Sequence, residues 1–346
     1  MTLKSASTFR ESYLELTSSS SKDPAEIYSG NYDIIIASAS WDSRSIVLTE
    51  AENLSASSAL IFSYKKKDSN GKSAANFARL HAFFAKAAKS AGSQEVDAAA
   101  VQANFKTLEN YLEHKFFSIK RPLNIFIDLS TTPRYLTLGA MGIGFRKGIV
   151  ASVTYGYAEG DYGPSTDPKV MFTEGGWVAK AIPGFEGEWE PQRKSHYVVS
   201  VGFEGTKTRQ FITRSEPDRV SILFPEPPVK DGYSEMARNA NKRLFEDYRV
   251  PKPGMVSAHA ASALDAVVNM DKSLDEDYTN ENCLYLCCGT KPHSLALAIR
   301  SLLKAEPGLL YILPESHKET NISPNGVFWQ YRIVDRSCPV TEVVNG

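Results

Sequence analysis

Two stretches of the chain carry residue types from which an anion site can be built. Residues 287–297 read CCGTKPHSLAL, an apolar run that enters Gly289-Thr290-Lys291-Pro292-His293 and then an apolar stretch at helical spacing. Residues 128–139 repeat the construction as DLSTTPRYLTLG. Pro133 and Pro292 suit the first helical position, where a missing N–H costs nothing. A helix starting there turns its free N–H groups and the positive end of its dipole toward the loop. Ser130, Thr131 and Thr132 in one case, and Gly289, Thr290 and Lys291 in the other, add hydroxyls, backbone N–H groups and an ammonium. Arg134 and His293 follow on the first turn. Such a set suits a phosphate or a nucleotide hydroxyl. The same residue types are also common helix caps, so one loop alone leaves both readings open.

Two more loops belong with these. Ser40-Trp41-Asp42-Ser43-Arg44 follows the apolar run Tyr32–Ser38, and Gly202-Phe203-Glu204-Gly205-Thr206-Lys207 follows His196–Val201. Each gathers an aromatic ring, an acid, a hydroxyl and a cation. Several motifs with fixed mechanics are excluded. VGFEGTKT places Val201 and Thr206 where a Walker A loop needs glycine. No GxGxxG follows the first strand of either run, and no GxSxG elbow occurs. His81, His114 and His196 have no metal-ligand spacing with one another, so neither a metal nor a cofactor is expected. Lys65–Lys67 reads as a solvated loop, and His259 as either a satisfied core residue or a member of the site.

The elements that must position these loops alternate regularly. Apolar runs at Tyr32–Ser38, Ala59–Tyr64, near Val96, Leu123–Asp128 and Ile149–Thr154 are separated by helical stretches. The helices lie after Ser45, around Phe77, Leu80, Phe83 and Phe84, through Leu108 and Leu112, and after Arg134. The rhythm restarts with His196–Val201, Val220–Phe224, Gly254–His259, Cys283–Cys288 and Leu309–Leu313, again with helices between. Strands and helices in this order are βαβ units on parallel sheets. Laying Pro133 on Pro292 and Trp41 on Phe203 gives nearly the same offset, and GGW at 175–177 rhymes with GVFW at 326–329. The pattern predicts an α/β protein of two tandem Rossmann-like parallel-sheet domains related by internal duplication, with β-hairpin inserts. The expected boundaries are a polar segment at 1–30, with Ser18–Ser21 as surface or linker, a first domain at 31–195 and a second at 196–346. A hairpin and connection are expected at 155–195, and a C-terminal hairpin in the second domain. In such folds the loops at the carboxyl ends of the strands share one edge, where ligands bind.

Composition limits the partners. The chain has 346 residues, 42% apolar and 23% charged, enough for two ordinary cores. A net charge of −1 gives no bulk basic field, so broad nucleic-acid binding is not indicated. No apolar run approaches 18 residues, and the N-terminal stretch lacks a signal-peptide core, so no membrane partner is expected. Cys283, Cys287, Cys288 and Cys338 do not form a disulfide framework, and they read as small buried hydrophobes in a reducing cytoplasm. Adjacent cysteines on one strand point to opposite faces and make no ready metal cage.

SVGFEGTKT with CCGTKPH, and SASWDSR with DLSTTPR, resemble the CRISPR-associated Rossmann fold (CARF) sensor domains. In that family two such domains pair about a two-fold axis and hold a cyclic oligonucleotide across the joint. The chain is similar to a fused version over about residues 31–155 and 196–315. The resemblance implies a nucleotide sensor or regulatory subunit in prokaryotic antiviral defence, with a separately encoded effector protein. Arg44, Arg134, Lys207 and Lys291 would then hold phosphates. Ser130, Thr131, Thr290 and the Gly202 and Gly289 backbones would supply hydrogen bonds, with Ser40, Thr132 and Thr206 beside them. Trp41 and Phe203 would pack on bases. Two other readings remain. One is a metal-independent ring nuclease in which His293, Glu204 or Asp42 moves protons. The other is a structural subunit that docks a protein through the tryptophans at 175–177 and 326–329.

Overall fold

A computed structural model of the chain describes residues 7–65, 68–163, 172–248, 254–274, 277, 280–304, 307–320 and 322–338. The first run of alternating elements comprises β1 (Ser7–Glu11), β2 (Leu14–Ser21), α1 (Pro24–Ile27), β3 (Gly30–Ala39), a 3-10 segment (Ser43–Glu50), β4 (Leu54–Tyr64), α2 (Lys72–Ala87), β5 (Ala91–Val96), α3 (Val101–Ile119), β6 (Leu123–Asp128), α4 (Arg134–Arg146) and β7 (Val150–Asp161). A second run follows. It comprises β8 (Thr173–Ala181), β9 (Lys194–Ser200), α5 (Gly205–Ser215), β10 (Arg219–Pro225), α6 (Tyr233–Asp247), β11 (Met255–Ala258), α7 (Ala263–Ser273), β12 (Glu281–Cys287), α8 (Lys291–Lys304), β13 (Gly308–His317) and β14 (Ser323–Asp335). These form two Rossmann-like α/β units with mostly parallel sheets. None of the described helices is long and apolar enough to cross a membrane.

Unit 1 comprises residues 1–163 and 319–346. Its sheet runs β1-β2-β14-β7-β6-β3-β4-β5. The five strands from β5 to β7 are parallel, and β14 is antiparallel to both β7 and β2. β3 reads GNYDIIIASA and is buried continuously from Asp33 to Ala39, as a parallel strand covered on both faces must be. Helix α2 buries Asn76, Leu80 and Phe84, each one turn from the next. Leu80 and Phe84 each contribute about 1.5–3 kcal/mol on burial. The helix expected after Ser45 is the short 3-10 segment, whose Ile46, Val47 and Thr49 are β-branched and weak helix formers.

Unit 2 comprises residues 164–318, and its sheet runs β11-β10-β9-β12-β13-β8. Only β8 is antiparallel in it. Val199, Ile222, Phe224 and Leu286 form its core with Ile212, Ala237 and Leu244 from α5 and α6.

Several expected assignments are corrected by this topology. The polar segment at 1–30 is not separate, because β1, β2 and α1 belong to unit 1. Ser18–Ser21 is a paired strand rather than a linker, since Ser18 and Ser20 stand opposite Tyr331 and Trp329 of β14. Small side chains there sit against large aromatic ones, so hydropathy alone gives no strand signal. The region 155–195 is not a hairpin, because β7 stays in the first sheet while β8 joins the second. Residues 164–171 of that region lie outside the described residues. The expected C-terminal hairpin of the second domain is likewise β14, which closes the first sheet between β7 and β2. The division therefore falls at 163/164 and 318/319 instead of 195/196.

In each unit the first strand of the run lies beside the fourth, β3 next to β6 and β9 next to β12. At the amino-terminal end of the first pair, buried Asp33 accepts two 2.8 Å bonds from Arg121 and one from the Asn124 N–H. This fastens β3 to the entry of β6. Asp33→Ala is expected to cost about 2–4 kcal/mol, because a buried carboxylate's charged partner and an amide are left without it. Urea unfolding measures this, and a loss under about 0.5 kcal/mol would contradict the role.

Candidate functional site

The adjacency of first and fourth strands creates a topological switch point at the carboxyl end of each sheet. All the expected loop residues lie on the segments that flank these two points. Their side chains are used in different ways.

In unit 1, Asp42 caps the 3-10 segment by accepting from the Arg44 N–H at 2.9 Å. Its carboxylate also takes the Arg44 guanidinium through Nε at 3.1 Å and Nη2 at 2.6 Å. Both side chains are buried, at 7% and 9% exposure, and the guanidinium lies 5.9 Å from the Tyr162 ring centroid. Arg44 is therefore an internal ion pair, not a cation presented to a ligand. Ser40 is also committed. Its Oγ accepts from the Asp42 N–H, and its carbonyl accepts from Asn76 Nδ2 of α2 at 2.7 Å. Ser130 Oγ accepts from the Ala158 N–H at 2.9 Å, which ties the loop to β7. Thr131 Oγ1 lies 3.2 Å from both the Ser38 carbonyl and Asp128 Oδ2, so its proton has an acceptor on β3 or β6. Thr132 is fully buried, which takes it off the accessible edge. Trp41 and Arg134 are half-buried and remain accessible.

In unit 2 the first loop is again an acid with a cation, here bridged by a hydroxyl. Thr173 of β8 donates from Oγ1 to Glu204 Oε1 at 2.5 Å and accepts from Lys207 Nζ. Lys207 is buried, so it too serves the fold before any ligand. Phe203 packs edge-on against Tyr233, with ring centroids 5.5 Å apart. The two switch-point loops touch through their backbones. A Cβ on Gly289 would come 2.8 Å from the Val201 carbonyl, and one on Gly202 would come 3.1 Å from the Cys288 carbonyl. The Gly289 N–H is already donated to Ser200 Oγ at 3.1 Å. Glycine at both places permits this close approach, and the Gly289 amide is not available to a ligand.

Thr290 caps α8, its Oγ1 accepting from the His293 N–H at 3.3 Å. His293 is fully buried, and its Nε2 meets the His259 carbonyl at 3.1 Å. His259 in turn is held by Asp265, which accepts from its N–H at 2.7 Å. His293 thus joins the β12–α8 loop to the β11–α7 turn, and burial removes it from the role of proton shuttle. Gly202, Phe203, Glu204, Thr290 and Lys291 are half-buried, and Thr206 is exposed. Those six residues form the accessible part of this edge. A shallow depression of about 400 Å³ lies elsewhere, on α6 among Arg238, Asn239, Lys242, Phe245 and Glu246, and no loop residue lines it.

Thr173, Ser200 and Asn76 are the partners that loop motifs cannot reveal. Each reaches its loop from a strand or helix whose placement depends on sheet order. The tryptophans are likewise engaged at home: Trp177 Nε1 donates to Gln210 and Trp329 Nε1 to Glu159.

No protein-family profile matches the chain, and no curated protein does. Among solved structures it is similar to the crystal structure of a functionally unknown protein, PA1789, from Pseudomonas aeruginosa PAO1. The two are 9% identical over 85% of this chain and 95% of that one, with a TM-score of 0.24. A likeness of that size adds nothing to the strand-order argument.

Two outcomes follow from these contacts. Asp42→Ala is expected to cost about 3–5 kcal/mol, because it strands a buried guanidinium. The pair Asp42→Leu with Arg44→Met should recover most of that loss in denaturant unfolding, apart from about 1 kcal/mol for the lost cap. The second outcome concerns acid. Burial pushes the His293 imidazole down to about 4, against the pull of the His259 carbonyl. An unfolded histidine titrates near 6.5. Between these values the unfolded chain holds the extra proton, so this part of the stability is full above about pH 6.5 and falls away toward pH 4. The slope is up to one proton, or about 1.4 kcal/mol per pH unit. His293→Asn should flatten it in that window, and an unchanged slope would refute the assignment. His196, pushed down to about 3 by burial and Arg219, adds a slope of its own from about pH 6.5 down toward pH 3, so His293→Asn removes only the His293 share within the common window.

Proposed function

We propose that the chain binds a nucleotide-type anion at the switch-point loops and acts as a sensor or regulatory subunit. A cyclic oligonucleotide is the form the CARF resemblance implies, with defence as the setting and a separate effector as the partner. The observation that carries this reading is the edge of unit 2. There Lys291 stands half-buried as the first residue of α8, directly after Thr290, and the loop whose Gly202 approaches the Cys288 and Gly289 backbone carries Phe203 and Thr206. A cation, hydroxyls, helix amides and an aromatic face suit phosphate, ribose and base in turn. In unit 1 the corresponding accessible groups are Arg134, Thr131 and Trp41.

An internal duplication is part of the same proposal. Both sheets run third, second, first, fourth and fifth strand of their run and then an antiparallel strand, β8 in unit 2 and β14 in unit 1, where β2 and β1 extend the sheet further. In both, the first loop pairs an acid with a cation, Asp42 with Arg44 and Glu204 with Lys207 through Thr173.

The enzyme reading has less support, since His293 is sealed and Asp42 is neutralised within the fold. Calorimetry with cyclic di-, tri- and tetranucleotides tests the binding. One of them should bind, with Lys291→Ala weakening it about tenfold or more, roughly 1.4 kcal/mol. Chromatography of the mixture should return the ligand intact. No heat with any member of the panel from folded protein would overturn the proposal.

A further inference from the structure

The opposite end of the second sheet holds a cluster unrelated to those loops. His196 on β9 and Cys283 on β12 are register partners, as are His196 and Arg219 on β10. Paired residues on neighbouring strands point to the same face, and Glu281 lies two residues before Cys283 and so shares it. Donor atoms of His196, Glu281 and Cys283 all lie within 4.8 Å of one another.

A cation already occupies the gap. Arg219 Nη2 lies 2.9 Å from His196 Nδ1 and 2.5 Å from Glu281 Oε2. A guanidinium can only donate, so Nδ1 must present its lone pair. The proton is therefore on Nε2, which donates to Ser221 Oγ at 2.9 Å. That is the arrangement of a metal-ligating histidine, one nitrogen free to bind and the other oriented by a second hydrogen bond. The imidazole and Cys283 are buried, the latter at 4% exposure, whereas the Arg219 side chain is 37% exposed and has room to swing into solvent. The donor set of one nitrogen, one sulfur and one carboxylate oxygen suits zinc-like ions and not magnesium or calcium.

We infer that His196, Glu281 and Cys283 form a three-residue site for Zn²⁺ or a similar ion, entered when Arg219 is displaced. The Cys283 thiol gives up its proton to solvent on binding, one proton per metal, and the sulfur becomes a thiolate ligand. The fourth position of the tetrahedron is left to water.

Titration of the full-length, reduced protein with Co²⁺ alone tests this. One equivalent should produce a thiolate-to-cobalt charge-transfer band, and Zn²⁺ should abolish it. Arg219→Ala should tighten Co²⁺ binding about tenfold or more by removing the competing cation. Cys283→Ala, with its fold checked by circular dichroism, should lose the band, while Cys287→Ala and Cys338→Ala should keep it. No band in the native chain, or one that survives Cys283→Ala, overturns the site. A band seen only in Arg219→Ala overturns the displacement in the native protein. The native titration needs no variant, and it is independent of any nucleotide.

Discussion

The first strand of each run is flanked by the second on one side and the fourth on the other. From that one constraint the rest of each unit follows. The chain leaving β3 must cross toward β4, and the chain leaving β6 toward β7, so the two loops part at the sheet's edge. The opening is made by connectivity, before any side chain is chosen. Asp33 with Arg121 at one end, and the loop-to-strand bonds of Thr131, Ser130 and Ser200 at the other, hold the two strands in that relation.

Cations near such an opening look like ligand donors, but two of them here are committed within the fold. Arg44 and Lys207 spend their charge on Asp42 and on the Thr173–Glu204 bridge. A buried pair of this kind returns little net stability after desolvation, but removing one member is costly. It therefore fixes the loop's shape. Arg134 and Lys291 are instead half-buried and stand at helix starts, where the backbone favours an anion.

The parallel strands were legible because burial on both faces makes them continuous apolar runs. Leu123–Asp128 is β6 to the residue, and Cys283–Cys288 overlaps β12. The antiparallel strands β1, β2, β8 and β14 were not legible as such. None of them is a continuously buried apolar run, and β2, β8 and β14 pair with strands far away in sequence. The loops could be placed from sequence at the carboxyl ends of their strands, yet which side chains are spent internally could not. Asn76 and Thr173 reach them only through tertiary placement. The cluster of His196, Glu281 and Cys283 is hidden for the same reason. Glu281 and Cys283 stand two apart on β12, but His196 joins them from β9, and no ligand-spacing rule reads across strands.

The position of β14 has a consequence for how the protein is made. Unit 2 is one continuous stretch, so its sheet can be complete as soon as β13 has left the ribosome. Unit 1 cannot. Among the described residues its β1–β2 pair joins the main sheet through β14, which follows all the other described strands in chain order. Throughout synthesis β7 has an open edge, and the amino-terminal hairpin has nothing to pair with. An unpaired edge of this kind is the surface on which sheets associate wrongly. The older half of the chain thus waits for the younger, and its folding ends with the arrival of residues 323–335.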